Sequence, residues 1–245
     1  PELSEVETVK EGLKPLIIGK KILELHLFYP GIIKDDLTAF KEKIIDQSFT
    51  DIRRFGKYLF FDLNDYTLIS HLRMEGKYFI RKSLAELTKH EHLAFKLDEN
   101  LWLSYHDVRK FGTMELIEKG KDKGYLTKKN LGPDANSAGL DIDEIYAKIS
   151  KSERQIKSVL LDQSIISGLG NIYVDETLFL SLIHPETASN KLSLKEVQSL
   201  LKNAKLVLDK AIALGGTTIR TYQSSLGVDG RFQNELNVHT KKGEP

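Results

Sequence analysis

Between Gly19 and residue 118 one texture recurs. KILELHLFY, FTDIRRF, KYLFFDL, YTLISHLR, GKYFI, HLAFKL, LWLSY and GTMELI are short, rich in β-branched and aromatic residues, and often alternate. Gly56, Asn64-Asp65, Gly76 and Asp98-Glu99-Asn100 separate them as turns. A half-apolar strand hides one face only against a second sheet or by closing on itself. Eight such runs within about a hundred residues therefore predict an antiparallel sandwich or barrel.

A helix is expected ahead of the strands. Val6, Val9, Leu13, Leu16 and Ile17 recur at helical spacing, and Ser4 with Glu7 fits a capping box that starts the helix at Ser4. LGPDANSAGLD, residues 131–141, offers little to bury and reads as a linker. Beyond it the period is helical: DIDEIYAKI, SERQIKSVLLDQS, NIYVDETLFLSLI and SLKEVQSLLKNAKLVLDKAIAL, the last stopped by Gly215-Gly216. TTIRTYQSSLGVDG reads as a loop and RFQNELNVHT as a strand. The expected class is α+β multidomain. An N-terminal antiparallel β-sandwich with a leading helix covers residues 1–131, and a helical domain covers 132–245.

No run approaches the roughly 18 apolar residues of a membrane span, and PELSEVETVKEGL lacks the basic and apolar regions of a signal peptide. With no cysteine, these residues form no disulfide, thiolate metal site or thiol nucleophile, which suits a reducing cytosol. Lys and Arg total 36 against 35 Asp and Glu, so a polyanionic partner would need a local basic patch.

Four stretches carry chemistry. In PELSEVETV a free Pro1 amine, with an ordinary pKa near ~8, is neutral often enough to attack a carbonyl-type carbon. Its adduct would be a cationic iminium, with Glu2, Glu5 and Glu7 at hand for proton transfer; equally, these acids complement a helix N-terminus. In SHLRMEGKY, Met74 is either a core gap-filler or an exposed wedge of the kind inserted between bases. In HDVRKFGT, Phe111 is a core candidate, whereas Arg109 beside it is less ordinary. In QIKSVLLDQSIISGLGNIYVDE, a turn through Gly168 and Gly170 into a helix near Asn171 exposes backbone N–H groups, an anion site to which Lys157 adds charge. The alternative there is a plain helix–helix turn.

Taken together, PEL-EVETV, RRFGKYLFF, SHLRMEG, DVRKFGT, GLGNIYVDE, GGTTIRTY and QNEL-V closely resemble the bacterial formamidopyrimidine-DNA glycosylase family over the whole chain. The resemblance implies a bifunctional glycosylase and AP lyase of base excision repair. Its partner is double-stranded DNA carrying oxidised purines or abasic sites, and the enzyme is a cytoplasmic, nucleoid-associated bacterial monomer with no membrane contact. Pro1 would be the nucleophile, Glu2 the acid, Glu5 its organiser, and Lys57 a phosphate contact that assists elimination. Met74, Arg109 and Phe111 would fill the hole left by the flipped nucleotide. His90, Lys157 and Asn171 would grip phosphates, the last two within a helix–two-turn–helix motif. Glu75, with Thr218, Arg220 and Tyr222 of a lid at 217–225, would line the damaged-base pocket.

Two departures stand out. Ser4 replaces a usual proline, and the four cysteines that hold the family's structural zinc are absent, so no metal cofactor is expected in this chain. That absence leaves a damaged-DNA-binding module without catalysis as an alternative. The related endonuclease VIII branch, acting on oxidised pyrimidines, is a further one, although it would not show the Met74, Arg109 and Phe111 set.

Overall fold

A computed structural model of the chain describes residues 1–215 and 237–244. Helix α1 (Leu3–Ile17) opens the fold, followed by β1 (Ile22–Leu27), α2 (Leu37–Ile44), β2 (Asp51–Phe55), β3 (Tyr58–Asp62), β4 (Tyr66–His71), β5 (Lys77–Arg81), β6 (Glu91–Leu97), β7 (Trp102–His106) and β8 (Thr113–Glu118). Helices α3 (Asp122–Lys128), α4 (Ile142–Ser150), α5 (Ile156–Leu161), α6 (Asn171–Leu180) and α7 (Leu194–Ala213) complete it. All eight expected strands form. Among the described residues they build two four-stranded antiparallel sheets, ordered β1-β6-β7-β5 and β2-β3-β4-β8.

Apolar residues of both sheets meet in one core that includes Phe49, Phe61, Tyr78, Phe95 and Tyr105, the sandwich expected from the alternation. A second core joins the later helices through Ile156, Leu169, Tyr173, Leu201 and Leu208. Helix α1 belongs to both: Val6, Val9, Leu13 and Ile17 pack with the sheets, while Leu3 packs with the helices.

Three local expectations are corrected. Helix α1 is capped at Glu2, not Ser4, because Glu5 supplies the reach-back carboxylate: its Oε2 accepts the Glu2 N–H at 2.9 Å. Ser4, fully buried, instead donates its hydroxyl to the Leu208 carbonyl of α7 at 3.1 Å. Residues 131–141 are not a loose linker. Asp134 accepts from the Gly56 N–H at 2.7 Å and from Arg54 at 3.1 Å, Ala135 is buried, and its N–H donates to Ser167 at 2.9 Å. Of the strand expected at the end, residues 237–240 form a turn, and the remainder lies outside the described residues.

Candidate active site

The two glycines of GLG seat the start of the chain against the start of α6. Gly168 has φ +105°, and its carbonyl accepts the Leu3 N–H at 2.9 Å. A Cβ there would lie 2.4 Å from Leu3 Cδ1, and one on Gly170 would lie 2.6 Å from Glu2 Cδ. Only glycine admits this approach. It places the Glu2 carboxylate over the helix terminus, accepting from the N–H groups of Gly170 (2.7 Å), Ile172 (2.9 Å) and Tyr173 (3.3 Å). The anion site expected at this turn therefore exists, but the protein's own Glu2 holds these amides. Asn171 stays exposed beside it.

Pro1, Glu2, Glu5, Lys57, Met74, Phe111 and Asn171 line one cleft of about 790 Å³. Burial lowers the Pro1 amine below its ordinary value, against the attraction of Glu5 and Glu2. Burial and then the charge of Glu5 push Glu2 up to about 7, although Lys57 and the amides of Gly170 and Ile172 pull it down. Burial also lowers Lys57, again against Glu2 and Glu5. The cleft thus holds an amine and a lysine biased toward neutrality beside a carboxyl biased toward protonation. Glu5 is held by the Tyr173 hydroxyl, which donates to it, and by the Glu2 N–H.

Lys57 owes its position to a two-residue hairpin turn whose first residue, Gly56, has φ +58°. Arg54 fastens that turn. Its guanidinium donates to Glu7 (2.6 Å), to the Gly56 carbonyl (3.0 Å) and to Asp134 (3.1 Å), tying α1, the hairpin and the 131–141 segment together.

Met74 is 57% and Phe111 51% exposed, so neither is the core filler that composition alone would allow. Arg109 is exposed, with its guanidinium 4.8 Å from the Phe111 ring centroid. Glu75 shares the turn of Met74 but is not among the cleft-lining residues. His90 lies at the base of the Arg109 loop, its carbonyl accepting the Asp107 N–H at 3.0 Å. Lys157 forms an ion pair with Asp175 at 2.8 Å. Thr218, Arg220 and Tyr222 lie outside the described residues.

Among the cleft-lining groups that sequence reasoning missed are His71, Gln163 and His239. His71 sat unremarked in SHLRMEG. Burial, then Arg73 and Lys57, push it down to about 3, and its Nδ1 accepts the Arg73 N–H at 3.0 Å, leaving Nε2 to carry the proton. Gln163 bridges the carbonyls of Leu161 and Leu169 and the Gly168 N–H. His239 is brought in by buried Glu176, which accepts the N–H groups of Asn237 (2.6 Å), Val238 (2.7 Å) and His239 (3.2 Å). No group of three or more His, Asp or Glu among the described residues could hold a metal ion. With no cysteine in the chain, a four-cysteine zinc site cannot be built from these residues. No described helix is long and apolar enough to cross a membrane.

A β-sandwich and a helical unit share helix α1, and an amine, two carboxylates and a lysine line one cleft. Residues 1–114 match the family model of the formamidopyrimidine-DNA glycosylase N-terminal domain, and residues 131–223 match that of the formamidopyrimidine-DNA glycosylase H2TH domain. The formamidopyrimidine-DNA glycosylase of Streptococcus thermophilus is 44% identical over 245 residues, covering all of this chain and 90% of the relative. That of Streptococcus pneumoniae is 45% identical over 244, covering all of this chain and 89% of the relative. Among solved structures, a Lactococcus lactis FPG mutant in complex with DNA containing Fapy-dG superposes with TM-score 0.95 at 43% identity. The Lactococcus lactis Fpg complex with abasic-site DNA gives 0.94 at 42%; each match covers all of this chain and 90% of the other. The chain belongs to the formamidopyrimidine-DNA glycosylase family.

Proposed function

We propose that this enzyme removes oxidised purines, 8-oxoguanine and formamidopyrimidines, from double-stranded DNA and then cleaves the strand at the abasic site. The observation that carries the reading is the shared cleft of Pro1, Glu2, Glu5 and Lys57, with the amine lowered and the Glu2 carboxyl raised. DNA bearing Fapy-dG or an abasic site in the Lactococcus lactis complexes supports the substrate.

As a free secondary amine, the Pro1 nitrogen carries the lone pair that attacks C1′. The bond from C1′ to the base breaks with its electrons leaving on the base. Glu2 gives its proton to O4′ as the C1′–O4′ bond opens, and loss of the Pro1 N–H proton leaves an iminium. The iminium acidifies C2′–H, whose loss expels the 3′ phosphate; a second elimination expels the 5′ phosphate. Glu5 orders the Pro1–Glu2 pair, and Lys57 contacts the flanking phosphates. No step is routed through zinc.

Extruding a nucleotide costs a few kcal/mol of stacking and pairing. Met74 and Phe111 fill the hole, and Arg109 faces the base opposite. His90, Lys157 and Asn171 hold backbone phosphates, Lys157 by exchanging Asp175 for phosphate. Glu75 and residues 218, 220 and 222 enclose the base. In this reading residues 1–131 form the catalytic unit and 132–245 the DNA-binding unit, and the protein works as a monomer in the bacterial cytoplasm.

Borohydride trapping on a duplex with 8-oxoguanine opposite cytosine tests the proposal. A covalent adduct mapping to Pro1 is expected, and a retained preceding methionine should reduce trapping by about 10³-fold or more. Normal DNA affinity without an adduct, even on an abasic duplex, would leave only a binding module. Unchanged trapping by methionine-blocked protein, confirmed by intact mass, would remove Pro1 from the mechanism.

A further inference from the structure

The loop that carries Arg109 and Phe111 has little apolar footing: Val108 is 50% and Phe111 51% exposed. Its anchor is Asp107, fully buried just past β7. Oδ1 accepts the N–H groups of Arg109 (3.1 Å) and Lys110 (3.2 Å), and Oδ2 accepts the Gly112 N–H (2.8 Å) and the Tyr105 hydroxyl (3.1 Å). One carboxylate thus gathers three backbone N–H groups of residues 109–112 into a closed loop, with Lys110 in the left-handed region at φ +60°. Burial, with the charge of Asp107, holds the Tyr105 phenol above its ordinary value, so it keeps the proton it donates. The closure is tight: a Cβ on Gly112 would lie 1.6 Å from the Tyr105 hydroxyl oxygen.

Asp107 is not among the residues that line the cleft. The hydrogen bonds its carboxylate accepts come from backbone N–H groups of the loop and from the tyrosine beneath. A loop inserted into a base stack must already have its shape, because ordering it during insertion would add to the cost of unstacking. We infer that Asp107 is the positioning residue of the wedge: it preshapes the Arg109–Phe111 loop for nucleotide extrusion and for reading the base opposite the lesion. This rests on the reading above, in which Arg109 and Phe111 occupy the hole. Asparagine would be a poor replacement, since its amide turns an NH₂ donor toward backbone N–H donors.

The test compares Asp107→Asn, Tyr105→Phe and Phe111→Ala with the wild type on two substrates. One is a duplex carrying 8-oxoguanine opposite cytosine or adenine. The other is a single-stranded abasic oligonucleotide trapped with borohydride, which has no orphan base and no stack to fill. For Asp107→Asn we expect duplex excision to fall about tenfold to a hundredfold, with single-strand trapping within about twofold of wild type. The ratio of excision opposite cytosine to excision opposite adenine should move toward unity. Tyr105→Phe, which keeps the ring, should shift both readouts the same way but less, and it decides the matter should Asp107→Asn fail to fold. If Phe111→Ala is impaired while both loop variants cut the duplex at the wild-type rate and ratio, the role of Asp107 is overturned and the wedge stands. If Phe111→Ala also matches wild type, the wedge reading falls and this inference with it. Equal losses on both substrates would reduce Asp107 to a general structural residue and would likewise overturn the inference.

Discussion

The two walls of the cleft are built on opposite terms. On one, Glu2 and Glu5 are nearly inaccessible, and their carboxylates are held by backbone amides and a tyrosine. On the other, Met74 and Phe111 are more than half exposed, and only the turns beneath them are fixed. Proton transfer and nucleophilic attack need perturbed pKa values, which burial supplies. A wedge needs bare apolar surface, which a chain of this kind keeps only by anchoring the backbone and leaving the side chain free. The first wall is stiff because it is desolvated; the second is stiff in spite of being wet.

Breaking the buried wall should have the larger effect. Glu2→Gln should lower base excision by about 10²- to 10⁴-fold in single-turnover assays, the range of general acid catalysis. In the wild type, excision should decline as pH rises through about 7, where Glu2 loses its proton. Stability follows the same group. Its folded value is raised from 4.5, so its contribution is fully present below 4.5 and is lost as pH rises through about 7. Denaturant titrations across that window should show a shallower decline for Glu2→Gln than for the wild type. The lowered Pro1 and Lys57 lean the other way, and in Glu2→Gln they lose the attraction of Glu2 and lean further, which widens the same difference.

Gly170→Ala sharpens the comparison at the seam that aims the acid. Its Cβ would meet Glu2 Cδ at 2.6 Å, an overpacking worth about 1–3 kcal/mol by chemical unfolding. Excision should fall with it, because the carboxylate is pushed from its amides. Met74→Ala should be the gentlest on the fold: at 57% exposure it should change stability by no more than about 0.5 kcal/mol. It should still slow excision from duplex about tenfold, roughly 1.4 kcal/mol of barrier. A comparable stability loss in Met74→Ala and Gly170→Ala would break the contrast between the walls.

What the sequence disclosed, and what it withheld, divide along sequence distance. The strands were legible because period-two alternation between turn residues is a local signal. Helix α2 was missed because only Phe40 and Ile44 of its eight residues are buried, too little to make a period. Helix α3 buries none. The start of α1 was ambiguous in principle: Ser4 with Glu7 and Glu2 with Glu5 have the same spacing, and the choice is made by Gly168, Gly170 and Leu208, far along the chain. Asp134 read as linker for the same reason, since its partners Arg54 and Gly56 are about 80 positions away. Pro1, Glu2, Glu5, Lys57, Met74, Phe111 and Asn171, named from the family resemblance, line one cleft, whereas the contacts of Asp107, His71 and Gln163 are visible only once the loops are closed.

Helix α1 has one more consequence. It leaves the ribosome well before α7, yet its first turn docks on Gly168 and on Leu208, the latter 204 residues downstream of Ser4. The sheets can condense around its middle long before that. Its opening turn, with Pro1 and Glu2, lacks its anchors until Gly168, the start of α6 and finally α7 have been synthesised. A chain stopped before α6 lacks the partners that seat Pro1 and Glu2. Synthesis of α6 and α7 is therefore the step that seats this turn.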